Sequence, residues 1–423
     1  MKKFTFAYGS GTVDAELDEN NILAVLHGSS VPPAEDIPSL VLQALESPIG
    51  CAPLSSSLTG KEKIALIVSD MSRFWMRQDL VVPHVAAYLT ERCGIPCENI
   101  TIVIANGTHT GGDEAEHRTL VTDGVYDRFR VVNHDCLAPD LVYIGTTPHG
   151  TEVRINPFVA EADCVVALGA CVHHVMAGFG GGRKSIVPGV SSMATICHNH
   201  AFSLDPVEFC SNPRIGNGVL EGNPLHEDMC EAAALIPNLF MINLVMNADM
   251  KLTKIFAGHY LESWLEACKA ADAIYRVPVP CQADAVIVSC GGYPKDMSLY
   301  QGTKTIDNIE PGLKNGGTLI LLIEARDGGG PEEYFGWCDD LLNGTQEKRL
   351  REHFTVPGSI FLLNCEQAKR YRIMMLTSIP QEKVAPMGIE AYSDMKELLA
   401  NAHLEGKSLY VIPNGSTVIP HVE

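Results

Sequence analysis

Short, continuous runs of branched apolar residues recur along the chain, and longer stretches of helical periodicity separate them. The run at 64–68 is followed by apolar residues at helical spacing over about 80–93, and then by a second run at 100–104. Such runs are typical of strands buried on both faces, and their alternation with helices predicts an α/β fold with mainly parallel sheets. Further runs of this kind are at 164–168, 285–289, 318–323, 360–363 and 409–412.

A break in this pattern falls at Pro278 and Pro280, directly after a helical stretch. It predicts an N-terminal α/β domain over 1–278 and a C-terminal α/β domain over 279–423. Ligands of open α/β sheets bind at the carboxyl ends of the strands, and reactive or charged residues follow five of the predicted strands. We therefore expect an active site in a cleft between the two domains.

The composition disfavours several classes of function. The 423 residues carry a formal net charge of -20, which disfavours nucleic acid and anionic membrane surfaces as partners. No apolar run is long enough to span a bilayer, and the start of the chain lacks the apolar segment of a signal peptide, so we expect a cytoplasmic protein. The 14 cysteines are then expected to be mostly buried free thiols rather than disulfides or zinc ligands.

The segment 173–185 combines two adjacent histidines, a glycine-rich stretch and two cations. A Walker A loop needs glycine directly before its lysine, but Arg183 precedes Lys184, so an ATPase is disfavoured. The backbone N–H groups of the glycines and the two cations are expected instead to bind an anionic group such as a phosphate.

Two histidines lie on a helix that Ser191 or Ser192 is expected to cap. Residues two positions apart on a helix are about 200° apart, so only one of His198 and His200 can face a site. The spacing alone does not say which.

Polar residues that follow the first two strands are further candidates. His109 comes after the run at 100–104, and Asp70 comes after the run at 64–68 with Arg73 three residues later. The Asp–Arg pair is either part of a carboxylate-binding site or a turn cap with a surface arginine.

In order along the chain, these motifs resemble the nickel-dependent lactate racemase family over about residues 60–340. The motifs that carry the resemblance are Asp70-x2-Arg73, Gly107-Thr108-His109, His173-His174-x3-Gly178, Lys184-Ser185-x2-Pro188-Gly189, His200 and Gly291-Gly292-Tyr293-Pro294-Lys295-Asp296. The resemblance implies a 2-hydroxy-acid racemase or epimerase whose C-terminal domain closes over the site. It also implies a nickel-pincer nucleotide cofactor, pyridinium-3,5-bisthiocarboxylic acid mononucleotide, loaded by separate biosynthetic enzymes.

The resemblance further implies which residues hold the cofactor. Lys184 would be joined to it covalently, and His200 would coordinate the nickel. The remaining residues expected beside the cofactor are Gly180, Gly181, Gly182 and Asp70.

The catalytic and substrate-binding roles follow from the same resemblance. His109 and His174 would exchange the hydroxyl proton on opposite faces of the substrate, while the cofactor takes hydride from the carbon and returns it. Arg73 and Lys295 would bind the substrate carboxylate, and Tyr293 is a further residue expected to bind the substrate.

The sequence departs from the family next to Asp70 and His109, where Thr-Arg-Pro and Arg-Pro are usual. These departures leave the substrate open. Arg77 would suit a second carboxylate, as in malate or 2-hydroxyglutarate, whereas an aromatic lip at Phe74-Trp75 would suit phenyllactate. A sugar acid is a further candidate, and Trp337 is a candidate ring near the substrate.

Two other classes of function compete with this interpretation. An NAD-dependent 2-hydroxy-acid dehydrogenase would also fit two α/β domains, but no GxGxxG follows a predicted strand. A non-enzymatic metal- or phosphate-binding protein would not need both His109 and His174 at strand ends.

Overall fold

The computed structural model describes all 423 residues, which form strands, α-helices, short 3₁₀ helices and connecting loops. The strands are β1 Lys2–Tyr8, β2 Gly11–Leu17, β3 Ile22–Val25, β4 Ile64–Ser69, β5 Ile100–Ala105, β6 Arg130–Asn133, β7 Val142–Thr146, β8 Glu152–Ile155, β9 Cys164–Ala170, β10 His173–His174, β11 Gly178–Phe179, β12 Leu239–Met246, β13 Leu252–His259, β14 Arg276–Val279, β15 Ala283–Ser289, β16 Leu313–Leu322, β17 Arg372–Leu376, β18 Glu390–Tyr392, β19 Leu409–Ile412 and β20 Ile419–Val422. The helices are α1 Ile37–Glu46, α2 Leu54–Ser57, α3 Val82–Ala87, α4 Glu114–Val121, α5 Asp123–Tyr126, α6 Pro157–Ala160, α7 Met193–Ala201, α8 Pro224–Ala234, α9 Glu262–Tyr275, α10 Leu299–Gly302, α11 Lys304–Ile309, α12 Trp337–Asn343, α13 Gln346–Glu352, α14 Val356–Arg370, α15 Gln381–Val384 and α16 Met395–Ala402.

One compact unit, here unit A, comprises residues 30–202 and 214–274. Its six-stranded sheet has the order β13-β12-β9-β4-β5-β6, in which every neighbouring pair is parallel except the edge pair β12–β13. All residues of β9 and β12 are buried, which explains why these strands are continuously apolar rather than alternating. The parallel arrangement brings the carboxyl ends of β9, β4 and β5 to one edge of the sheet.

The second compact unit, unit B, comprises residues 1–29, 203–213 and 275–423. Its six-stranded sheet is entirely parallel, with the order β18-β17-β16-β15-β19-β3. The observed units differ from the predicted division at 278/279, because β3 pairs with β19 and carries the first 29 residues into unit B. Pairing between residues this distant leaves no mark in local composition.

The prediction of mainly parallel α/β sheets is confirmed, but one predicted strand is wrong. Residues 360–363 lie within helix α14. Thr355 caps this helix by accepting a hydrogen bond from the backbone N–H of Gly358, and Pro357 occupies its first turn. A run of four apolar residues does not distinguish a strand from a helix buried on most sides. The strand in this region is β17, which follows α14.

Several smaller predictions also have outcomes in the structure. Ser192 caps α7 by accepting a hydrogen bond from the backbone N–H of Thr195 at 3.2 Å. The 14 cysteines are all free thiols, and eight of them are buried. None of the helices combines the length and apolarity needed to cross a membrane.

Candidate active site

An imidazole–carboxylate pair lies at the carboxyl ends of the adjacent strands β4 and β5. Asp70 directly follows β4, and His109 follows β5 in the turn 106–109. Nδ1 of His109 is 2.6 Å from Oδ2 of Asp70. The carboxylate is buried, whereas 43% of the His109 side chain is exposed. A carboxylate on Nδ1 leaves Nε2 of a neutral ring unprotonated, which is the state a general base needs.

Asp70 is held as an anion by its neighbours. Burial alone would raise the pKa of Asp70, but the hydrogen bond and charge of His109, the Ser72 hydroxyl and the nearby Arg73 charge together lower this pKa below its ordinary value. The Ser72 hydroxyl donates to Oδ1 of Asp70 at 2.7 Å and also accepts a hydrogen bond from Nη1 of Arg73 at 3.0 Å. The structure therefore brings Asp70, Arg73 and His109 together, as the strand-end argument predicted.

The two adjacent histidines of β10 have different partners, as expected for neighbouring residues of an extended chain. Nδ1 of His174 accepts hydrogen bonds from the backbone N–H groups of Met176 and Ala177, at 3.2 and 3.3 Å. His173 contacts Asp272 of α9, with Nε2 2.9 Å from Oδ1. No sequence motif pointed to Asp272, because it lies in an ordinary amphipathic helix.

The glycine-rich segment packs closely against the protein. Gly182 has φ 53°, and a Cβ at this position would clash with the indole ring of Trp264. The indole N–H of Trp264 donates to the carbonyl oxygen of Gly180 at 2.9 Å, and Gly181 packs against the backbone of Ala170. These contacts give Gly180, Gly181 and Gly182 a packing role. Their predicted contact with the cofactor stays a prediction.

Arg183 does not join Lys184 in an anion site, and that expectation is wrong. The guanidinium is fully buried and stacks 3.9 Å from the centre of the Trp264 ring. Its N–H groups donate to the carbonyl oxygens of Ala177 and Phe179 and to Nδ1 of His226. Arg183 thus fixes the backbone of the loop that leads to Lys184.

His200 has the properties of a metal ligand. Its Nδ1–H donates to the carbonyl oxygen of Ile196 at 3.0 Å, which leaves the Nε2 lone pair as the site for a metal. Burial lowers the pKa of His200 to about 3, and the charge of Lys184 contributes further, so the ring is neutral and Lys184 lies close to it. His198 instead pairs through Nδ1 with the hydroxyl of Thr151 at 2.7 Å. These features fit a covalently anchored nickel cofactor at Lys184 and His200.

Two predicted substrate-binding residues belong to unit B. Nζ of Lys295 donates to the hydroxyl of Ser416 at 2.6 Å, and burial lowers the pKa of Lys295 to about 8. Tyr293 is 48% exposed, and the Arg326 guanidinium lies 4.0 Å from the centre of its ring. Ser416 was not among the sequence candidates, since nothing near it in the chain marks a site. Arg326 follows the predicted strand at 318–323 and is one of the charged strand-end residues, but the sequence assigned it no role.

The residues proposed to determine substrate specificity differ in their burial and in their partners. Arg77 makes a two-point ion pair with Asp79, through bonds of 2.9 and 2.8 Å, so its guanidinium already has a carboxylate partner. Phe74 and Trp75 are partly buried against the core of unit A. Trp337 is fully buried in α12, which does not favour a role beside the substrate.

Comparison with known proteins identifies the class to which this fold and site belong. A family model for the lactate racemase N-terminal domain matches residues 8–210, and one for the lactate racemase C-terminal domain matches residues 279–420. The lactate racemase of Thermoanaerobacterium thermosaccharolyticum is 31% identical over 433 residues, covering 99% of each chain. That of Lactiplantibacillus plantarum is 28% identical, covering 99% of this chain and 100% of the relative.

Solved structures agree with these matches. The structure of the lactate racemase apoprotein from Thermoanaerobacterium thermosaccharolyticum has a TM-score of 0.88 at 30% identity, covering 99% of this chain and 100% of the other. A protein from Thermotoga maritima has a TM-score of 0.66 at 19% identity, covering 92% and 100%, and shows the fold alone.

The α/β fold and these matches define a racemase, an enzyme of the isomerase class. The chain belongs to the lactate racemase family, as its motifs predicted. The alternative of an NAD-dependent dehydrogenase is not favoured.

Proposed function

We propose that the chain is a nickel-dependent racemase of 2-hydroxy acids, that lactate is the first substrate to test, and that separate enzymes make and load its cofactor. The observation that carries the proposal is the Asp70–His109 pair at the carboxyl ends of β4 and β5. The neighbouring strand β9 ends at the same edge of the sheet and is followed by His174. The names of the curated relatives support lactate as the substrate.

His109 would act as the base for the enantiomer whose hydroxyl faces it. Asp70 accepts the Nδ1–H, so the lone pair on Nε2 can take the hydroxyl proton. The same carboxylate stabilises the imidazolium that results, because its charge lies 2.6 Å from the ring nitrogen. Asp70 thus acts through His109 as a positioning residue.

His174 would act on the opposite face of the substrate, but its neutral ring is the other tautomer. Because backbone N–H groups donate to Nδ1, the ring proton of neutral His174 lies on Nε2. In this state the ring donates a hydrogen bond to a substrate oxygen. To exchange a proton, it must first turn away from the N–H groups of Met176 and Ala177, since these oppose protonation of Nδ1.

Lys184 and His200 would hold the cofactor, Lys184 by a covalent link and His200 through Nε2. When bound, a nickel-pincer nucleotide supplies a centre that accepts hydride from the substrate carbon and returns it. Burial keeps His200 neutral, so it can offer its lone pair at any physiological pH.

The substrate carboxylate would be bound by Arg73 and Lys295, with Tyr293 beside it. Only one nitrogen of the Arg73 guanidinium is engaged, by the Ser72 carbonyl and hydroxyl oxygens, which leaves the other N–H groups for a ligand. The Arg77–Asp79 pair supports a monocarboxylic substrate over malate or 2-hydroxyglutarate, because a second carboxylate would have to compete with Asp79.

The proposal is tested with protein co-expressed with the cofactor-making enzymes. We expect an increase in intact mass that maps to Lys184, one bound nickel, and interconversion of D- and L-lactate. The Lys184→Ala variant should lose the mass increase and the activity. His109→Ala should keep the adduct but lose racemisation, which separates loading from chemistry.

The substrate is resolved by a screen of chiral 2-hydroxy acids that includes malate, 2-hydroxyglutarate, phenyllactate and a sugar acid. Loaded protein that racemises none of them would overturn the proposal. Oxidation of a hydroxy acid that depends on added NAD would favour a dehydrogenase instead.

A further inference from the structure

Three side chains of the types that bind metals lie together in unit A, and none of them is among the residues assigned above. His149 is in the loop between β7 and β8, and Asp228 and Glu231 are on α8. Residues three apart on a helix share a face, so both carboxylates are turned to the same side. One candidate ligand atom from each of the three residues lies within 4.8 Å of the others.

The His149 ring is surrounded by carboxylates. Its Nδ1 is 2.8 and 2.9 Å from the two carboxylate oxygens of Glu231, and its backbone N–H donates to the same group at 3.1 Å. Its Nε2 is 3.7 Å from Oε2 of Glu227. An imidazolium satisfies this arrangement without a metal, and a divalent ion satisfies it by replacing the ring proton.

Asp228 supplies an independent reason to expect a cation. The residue is completely buried, and its carboxylate accepts hydrogen bonds only from the neutral donors Thr147, Thr151 and Asn199, at 2.5, 2.9 and 2.7 Å. A buried carboxylate normally has a cationic partner or coordinates a metal. Four lone-pair directions are available on a carboxylate, and one of those on Oδ1 remains for a further ligand.

The amide that contacts Asp228 has an unsatisfied oxygen. Asn199 is completely buried, and its Oδ1 has no hydrogen-bond partner, although its Nδ2 donates to Asp228 and to the carbonyl oxygen of Leu225. A buried acceptor without a partner is uncommon and calls for an explanation such as an ion or water. An ion or its bound water next to Asp228 would provide one.

From these observations we infer that His149, Asp228 and Glu231 bind a first-row divalent transition ion of the zinc type. One imidazole nitrogen and two carboxylate oxygens are ordinary zinc ligands, and water completes four-coordination. Zinc bonds to such ligands are about 2.0–2.2 Å, so two ligands of one ion are at most about 4.4 Å apart. The present separation of up to 4.8 Å is longer, so binding would require the partly exposed His149 and Glu231 side chains to rotate toward the ion.

The site would also brace the helix that carries His200. Thr151 donates to Asp228 and lies 2.7 Å from Nδ1 of His198, while Asn199 joins the same carboxylate. Both His198 and Asn199 are on α7. An ion on Asp228 would therefore link the loop 147–151 and α8 to α7.

The test uses the full chain produced without the cofactor enzymes, stripped with a chelator and titrated with Zn²⁺ by calorimetry. We expect one equivalent to be lost, or its affinity to fall roughly tenfold or more, in His149→Ala and in Glu231→Gln. The matched control His353→Ala removes an exposed histidine of unit B and should leave binding unchanged. Both test positions are partly exposed, so the variants are expected to fold, and their melting temperatures without zinc check this.

The His200→Ala variant separates this site from the proposed nickel site. Zinc that still binds in His200→Ala, but not when His149→Ala is added, supports the inference. Zinc binding that is lost in His200→Ala and unchanged in His149→Ala and Glu231→Gln overturns it, as does the absence of binding in the wild type. Neither result depends on whether the loaded enzyme racemises lactate.

Discussion

Replacing Lys295 by methionine is expected to stabilise unit B at neutral pH while weakening substrate binding. Burial lowers the pKa of Lys295 from 10.5 to about 8. At roughly 1.4 kcal/mol per pH unit, this difference means that burying the ammonium costs at most about 3 kcal/mol. Methionine has a similar length and no charge, so it removes the cost and sacrifices only the hydrogen bond to Ser416.

The effect has a defined pH window. The pKa of Lys295 is lower in the folded state, so between about pH 8 and 10.5 the unfolded chain binds more protons and the wild type gains stability as pH rises. Below about pH 8 the folded protein bears the full cost of the charge. Above about 10.5 both states are neutral, and the difference between wild type and variant disappears.

Urea unfolding at pH 7 and at pH 10 measures this difference. We expect Lys295→Met to raise the unfolding free energy by up to about 3 kcal/mol at pH 7 and by much less at pH 10. Lys348→Met, which removes an exposed lysine of the same unit, should change neither value. An equal gain at both pH values, or none at pH 7, would refute the argument that an ammonium is buried at cost. In loaded enzyme, Lys295→Met should also raise KM for lactate.

Three further variants test the site in unit A. Asp70→Asn should reduce kcat by roughly a hundred- to ten-thousandfold in loaded enzyme, as measured by a racemisation assay. The reason is that the amide neither fixes the His109 tautomer nor stabilises the imidazolium. Gly182→Ala should lower the unfolding free energy by about 2 kcal/mol or more, because a Cβ meets an indole ring at positive φ, and urea unfolding detects the change. Arg77→Ala should leave lactate kinetics unchanged, because its guanidinium is bound to Asp79.

Each of these variants has an outcome that contradicts its reasoning. Full activity of Asp70→Asn would mean that the carboxylate does not serve His109. Gly150 also has positive φ but open space around it, so Gly150→Ala should cost less than Gly182→Ala, and equal costs would reject the packing argument. Selective loss of activity on malate or 2-hydroxyglutarate in Arg77→Ala would restore the dicarboxylate hypothesis.

The part of the site that lies at the strand ends could be predicted from the sequence. Apolar runs located β4, β5 and β9, and parallel pairing then required Asp70 and His109 to meet at one edge. The serines before α7 likewise predicted that Ser191 or Ser192 caps this helix, and Ser192 does so. The sequence could not show which of His198 and His200 is buried, because that depends on how α7 packs against the rest of unit A.

What the sequence could not predict depends on contacts between distant residues. Arg183 followed four glycines and preceded Lys184, so an anion site was the simplest interpretation. In the folded chain the Arg183 guanidinium is buried against the face of the Trp264 ring, which is 81 positions away in the sequence. Similarly, β3 joins unit B only through its pairing with β19. No local pattern records either partner.

The two proposed acid–base histidines differ in a way that thermodynamics constrains. Nδ1 of His109 faces the Asp70 carboxylate, whereas Nδ1 of His174 accepts hydrogen bonds from two backbone N–H groups. The enantiomers of lactate have equal free energy, so kcat/KM must be the same in both directions however unequal the two bases are. If kcat differs between the two directions, KM must differ by the same factor. Asp70→Asn, although it acts on one histidine, must therefore lower kcat/KM by the same factor for D- and L-lactate.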